Sequence, residues 1–182
     1  MYVCIKRRLS VLNKKRQIFA GILVLGMLPF FQGCGAYSFS GISIGPETQT
    51  YQVNFFQNEA SLVIPGLDRT FTLQLQDLIL NQTNLDLVNS GGDIIYEGEI
   101  TQYYVAPSTA TSDNQAAENQ LTISVNLRFI DTKDDENDLE QSFSFFFNFP
   151  AATSVRNVEA QAHQEIFDRI TQDIFNATLA RW

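Results

Sequence analysis

Leu121 to Pro150 reads LTISVNLRFIDTKDDENDLEQSFSFFFNFP, and its first nine residues alternate without a break. Leu121, Ile123, Val125, Leu127 and Phe129 point one way, and Thr122, Ser124, Asn126 and Arg128 the other. Period two over such a length is a strand with one buried face. The acidic stretch Asp131 to Asp138 reverses the chain. A second strand follows from Leu139 to Phe149, with Phe143, Phe145, Phe147 and Phe149 on one face and Ser144, Phe146 and Asn148 on the other. Pro150 ends it, having no N–H to give to a ladder. Two one-sided strands need an apolar layer over them, so the rest of the chain has to supply one.

Working outward, the supply is visible on both sides. A linker up to Asn157 precedes a closing helix whose stripe is Val158, Ala162, Ile166, Phe167, Ile170, Ile174, Phe175 and Leu179. Its wet flank carries Glu159, Glu165, Asp168, Arg169 and Asp173. Upstream, Leu67 to Asn81 places Leu67, Phe71, Leu75, Leu78 and Ile79 at helical spacings, with Pro65 near the helix start. Ile94 to Val105 is a long strand with Ile94, Tyr96, Gly98 and Ile100 on one face and Ile95, Glu97, Glu99 and Thr101 on the other. Gly98 marks a bulge or a close approach of another backbone. Residues 106–119 form a polar, low-complexity loop. Tyr51 to Phe56 is a short strand with Tyr51, Val53 and Phe55 on one face. Leu85 to Val88 is another, leading into Asn89-Ser90-Gly91-Gly92, residues suited to a hairpin turn. The chain therefore predicts an α+β two-layer sandwich, a mostly antiparallel sheet with two helices packed on one face in the order β-α-β-β-β-β-α.

The N-terminus has a different character. Lys6, Arg7, Arg8, Lys14, Lys15 and Arg16 precede the apolar run Ile18 to Phe31, which ends around Pro29 and is followed by Gly33-Cys34. A basic head before a short apolar run is an export signal, and this run is shorter than the ~17–25 residues of a spanning helix. Phe31-Gln32-Gly33-Cys34 resembles the lipobox of bacterial lipoproteins, whose thiol receives diacylglycerol before the chain is cut ahead of it and the new amino group is acylated; its last two positions fit closely. A secretory signal cut elsewhere, with Cys34 a free thiol, and a retained anchor stay open as other readings. The expected division is 1–33 signal peptide, 34–50 lipid-anchored tether and 51–182 folded domain.

All twenty acidic residues follow Cys34 and six of the twelve basic ones precede it, so residues 34–182 carry −14 against −8 for the whole chain. Such a field repels nucleic acid. With Cys4 in the leader and Cys34 at the anchor, the domain has no disulfide, and its stability rests on packing, to which fifteen Phe contribute.

Catalytic constellations are thin. His163 is the single histidine and sits near the stripe of the closing helix, a position that suits a half-buried helix residue. No His/Cys cluster is spaced for zinc, and no serine lies in a GxSxG setting. Asp131, Asp134, Asp135, Glu136 and Asp138 lack the glycine and terminal glutamate of a calcium loop. Glu97 and Glu99 read as a solvent face, and Gly91-Gly92 as a turn. No catalytic, cofactor or metal residue is assigned. The sheet face opposite the helices, with Phe56, Ile95, Tyr103 and Phe146 expected on it, is the docking candidate.

CGAYSFSGISIG, PGLDRTFTLQLQDLILNQTNLDLV, GGDIIYEGEITQYYVAP, LTISVNLRFIDTKDDENDLEQSFSFFFNF and the final NATLARW together resemble the LPS-assembly lipoprotein LptE family in its Bacteroidota form, over Cys34 to Trp182. The resemblance implies a non-enzymatic outer-membrane lipoprotein, anchored at Cys34 on the periplasmic side. Its partner would be an LptD-type β-barrel translocon that it plugs and helps to assemble, with lipopolysaccharide a second candidate. The family's basic ligand contacts have no clear counterpart here. The candidate contact residues are Arg128, Tyr103 and Phe146. The competing reading is a periplasmic lipid-anchored carrier or chaperone that shields acyl chains, which requires an apolar cavity between sheet and helices.

Overall fold

The structure is a computed structural model that describes residues 45, 47–110 and 116–180. Cys34, the expected signal peptide 1–33 and most of the expected tether 34–50 lie outside the described residues. The elements run β1 (Thr50–Val53), β2 (Gln57–Asn58), α1 (Leu67–Gln82), β3 (Asp86–Leu87), β4 (Ile94–Ala110), β5 (Ala116–Asp131), β6 (Leu139–Pro150) and α2 (Val155–Thr178), with a 3-10 turn Asp135–Asn137 before β6. The sheet order is β3-β1-β4-β5-β6, with β2 beside β4. Both helices cover one face, giving the α+β sandwich that the alternation and the two amphipathic stripes dictate. The long β4–β5–β6 ladders are antiparallel. β1 is parallel to β3 and β4, and β2 is parallel to β4, so the sheet is mixed.

α1 opens on Gly66 in the left-handed region (φ 82°) and carries Asp68 in its first turn, where the helix dipole favours a carboxylate. It closes where Thr83 returns both its N–H and its hydroxyl to the Ile79 carbonyl. Leu67, Phe71, Leu75 and Ile79 are buried, as the spacing predicts. α2 begins one turn before the expected Val158, at Val155, and buries Ala162, Ile166, Phe167, Ile170, Ile174 and Phe175. Phe71 sits edge-on to Phe56 and to Phe167, with centroids 5.1 Å apart in both pairs. The Tyr51 hydroxyl donates to the Gln76 carbonyl, and the Tyr96 hydroxyl pairs with Thr178 Oγ1 at 3.1 Å. The aromatics thus fill the layer and their polar tips find partners.

Two one-residue insertions overturn face assignments made from simple alternation. Four residues pass from Val53 to Gln57 while β4 advances three, from Tyr96 to Glu99. The expected strand Tyr51 to Phe56 is therefore broken, Phe55 is 55% exposed, and Phe56 enters the core. In β4, Ile100 faces Val125 but Gln102 faces Ser124, leaving Thr101 as the extra residue. A slip of one residue sends every later side chain to the other face, and Tyr103 is consequently buried against α2 rather than displayed on the free face. At Gly98 the ladder is unbroken; the glycine serves a close approach, since a Cβ there would lie 2.0 Å from the Asn126 carbonyl oxygen and 2.8 Å from the Phe56 ring.

The polar stretch 106–119 is not a loop throughout. Ala106 pairs with Gln120, Pro107 with Asn119 and Ala110 with Ala116; the tip 111–115 lies outside the described residues. Ladder bonds use backbone groups alone, so small polar residues continue a hairpin that has already started.

Residues 88–93 are likewise not a hairpin turn, because β1 lies between β3 and β4. The segment doubles back across β1, with Gly91 at φ 71° and Gly92 so close to Gln52 that a Cβ would meet its backbone nitrogen at 2.8 Å. Asp93 fastens this crossing. Its Oδ2 accepts from the Gln49 and Thr50 N–H groups (3.0 Å each) and from Thr50 Oγ1 (2.9 Å), while Oδ1 pairs with Lys133 Nζ at 2.9 Å. These donors hold the Asp93 carboxyl far below the usual carboxylate range, the Gln49 N–H first among them. A depressed pKa of this kind stabilises the fold above the unfolded-state value near ~4 and is lost as the pH falls below it. Asp93→Asn is expected to lower the melting temperature at pH 7 and to flatten its fall between pH 5 and pH 2. An unchanged acid limb in thermal melts would show that this clamp contributes nothing.

Candidate functional site

The sheet face away from the helices is built of cross-strand rows. Gln120 Nε2 donates to Asn148 Oδ1 at 3.1 Å, and Ser124 Oγ bridges Gln102 Oε1 (3.2 Å) and Ser144 Oγ (2.9 Å). Asn126 Nδ2 donates to Glu99 Oε1 at 3.2 Å, and Arg128 Nη1 pairs with Glu97 Oε1 at 2.9 Å. Glu140 stands opposite Arg128 on β6. Glu97, Gly98, Glu99, Asn126, Arg128 and Glu140 line a shallow depression of about 300 Å³. Between the polar rows one row is aromatic: Thr122, itself buried, is flanked by Tyr104 on β4 and Phe146 on β6, which are 47% and 46% exposed. The whole is a polar surface, hydrogen-bonded within itself, that carries one aromatic step.

Of the expected contact residues, Arg128 and Phe146 occupy this face, Arg128 with most of its side chain in solvent. Tyr103 does not. Its hydroxyl lies 3.0 Å from His163 Nε2 and 3.5 Å from Glu159 Oε1. Burial pushes the phenol up to about 12 and lowers the imidazole below its ordinary value. His163 stacks on Phe167 at the edge of a groove formed with Ile64, Pro65, Arg156, Glu159 and Ala160. Phe56 is likewise core. Tyr104 was missed because the bulge at Thr101 exchanges it with Tyr103, and no residue type announces that bulge. The acidic reversal satisfies itself: Asp131 accepts from the Lys133 N–H, Asp134 from the Glu136 N–H and Asp138 from the Asp131 N–H. Among the described residues no three His, Cys, Asp or Glu side chains converge as a metal site.

The acyl-carrier reading called for an apolar cavity between sheet and helices. That layer is occupied by Phe56, Phe71, Leu75, Ile79, Ile166 and Phe167, all at 0% exposure.

Comparison with known proteins adds the family. A family model described as LptE, lipopolysaccharide-assembly, matches residues 48–178. No curated protein sequence matches. Among solved structures, the hypothetical protein CT253 from Chlamydia trachomatis is similar, with a TM-score of 0.53 at 9% identity over 74% of this chain and 99% of that one. Protein XCC0632 from Xanthomonas campestris reaches 0.51 at 11% identity over 76% and 90%. The rare lipoprotein B from Shewanella oneidensis gives 0.46 at 14% identity over 68% and 92%. At these identities the first two likenesses concern the fold alone.

Proposed function

Because the chain belongs to the LptE family of lipopolysaccharide-assembly proteins, we propose that it is a non-enzymatic lipoprotein which binds and plugs an LptD-like β-barrel translocon and supports its assembly and delivery of lipopolysaccharide to the cell surface. Cys34 carries the lipid and holds the domain at the periplasmic side of the outer membrane, with 1–33 as the signal peptide, 34–50 as the tether and 51–182 as the docking domain. The observation that carries the reading, beside the family, is the free sheet face, whose Gln, Ser, Asn and Glu side chains are bonded across three strands. A large barrel has a polar interior, and a surface already satisfied within itself loses little when it is brought against one. Arg128 and Phe146 are the outward contacts on this face, toward the barrel or toward lipopolysaccharide itself. Tyr103 takes part only through its hydroxyl beneath the Arg156–His163 groove.

The test is made in the native envelope. Mass spectrometry of the purified protein is expected to find an acylated Cys34 at the mature N-terminus, and crosslinking is expected to recover an LptD-like barrel. Acyl chains contribute ~0.8 kcal/mol per buried CH₂ and are first added to the thiol before the cut, so Cys34→Ser is expected to persist as the full-length precursor, held in the inner-membrane fraction by its apolar run 18–31 and absent from the outer-membrane fraction. An unmodified thiol would remove the anchor, and recovery of no barrel protein would sink the plug.

A further inference from the structure

We propose that the outer edge of β6 receives an extended segment of the LptD-like barrel, which adds a strand to the sheet; this rests on the function proposed above. β6 runs twelve residues and pairs only with β5 among the described residues. Its register with β5 is uninterrupted from Glu118↔Pro150 to Phe129↔Leu139, whereas β4 is irregular in three places. Protein edges are ordinarily blunted by shortness, lysines, an inward charge, a proline or a bulge. Here no Lys or Arg occurs, the one charge is Glu140, and the one proline is terminal Pro150. Such an edge presents a row of backbone donors and acceptors to a partner strand.

Side chains specify the partner. On the helix side, Phe145 and Phe147 are only half-buried, and the Arg169 guanidinium lies 5.5 Å from the Phe145 ring centre. Their outer flanks stop where the sheet stops. On the free face, the row Glu97, Arg128, Glu140 alternates in sign across β4, β5 and β6. Arg128 is spent on Glu97, and Glu140 makes no ion pair with any described residue. The next position in that row calls for a cation, since opposite charges on directly facing residues stabilise a pair and like charges destabilise it. The added strand therefore alternates, with apolar residues beside Phe145 and Phe147, small polar ones beside Ser142 and Ser144, and Lys or Arg beside Glu140. A second copy of this chain fits less well, because it brings Glu140 and a strongly acidic domain in place of the missing cation.

The test is hydrogen–deuterium exchange of residues 139–150 in the full chain, alone and in complex with a co-expressed LptD-like barrel. At least tenfold slower exchange in the complex is expected. Glu140→Lys is expected to reduce complex recovery about tenfold and, because the lysine faces Arg128, to melt slightly below the unaltered chain while remaining folded. Glu140→Gln is expected to stay within about threefold in recovery and to melt as the unaltered chain does. A complex that forms with unchanged exchange in β6 overturns the edge proposal and leaves the plug standing. Absence of any complex overturns both. Protection that appears without the barrel and grows with protein concentration makes a second copy the occupant and overturns the proposal as well.

Discussion

Gly98→Ala is expected to destabilise the domain by about 3 kcal/mol or more, enough to leave much of it unfolded. The added methyl would sit 2.0 Å from the Asn126 carbonyl oxygen and 2.8 Å from Phe56 Cε1. Overpacking ordinarily costs ~1–3 kcal/mol because neighbours shift to make room. Here the nearest neighbour is backbone in the middle of the β4–β5 ladder, held on either side by Glu97↔Arg128 and Glu99↔Asn126. Relief would have to come from breaking pairs that also set the Arg128–Glu97 and Asn126–Glu99 rows of the free face. Urea unfolding measures the effect; a loss under about 0.5 kcal/mol would mean that the two strands are not held this closely.

Phe71→Ala comes second, with an expected loss of about 3–5 kcal/mol, the range for emptying a buried aromatic site. Phe71 is fully buried and touches the sheet through Phe56 and the second helix through Phe167, so its removal opens the layer at the point where three elements meet. Phe55→Ala is the internal comparison. It alters a ring that is 55% exposed, and a change within about 0.5 kcal/mol is expected. Equal losses from the two substitutions would contradict the register shift before β2.

These comparisons mark what alternation can and cannot convey. Leu121 to Phe129 and Phe143 to Phe149 were legible because their strands are paired without interruption, so the side-chain period of two holds from end to end. The stripes of α1 and α2 were legible for the same reason at period 3.6. Tyr103, Tyr104, Phe55 and Phe56 were not, because each lies beyond an inserted residue, and an insertion is set by the partner strand's spacing rather than by the residue inserted. The candidate face divided along this line: Arg128 and Phe146, on β5 and β6, lie where the alternation puts them, while Tyr104 took the place expected of Tyr103.

Composition and pattern by themselves determined that this chain makes a two-layer α+β domain with an excess of negative charge behind a basic and apolar N-terminal stretch. Those properties follow from local periodicity and from counting charges, and neither depends on what the chain meets in space. Tertiary structure alone decided that β1 slips between β3 and β4 as a parallel strand, that Asp93 fastens the crossing, and that β6, among the described residues, is left as a long edge. Strand order and edge position arise from which backbones finally pair, and a peptide group looks the same in every residue that carries one.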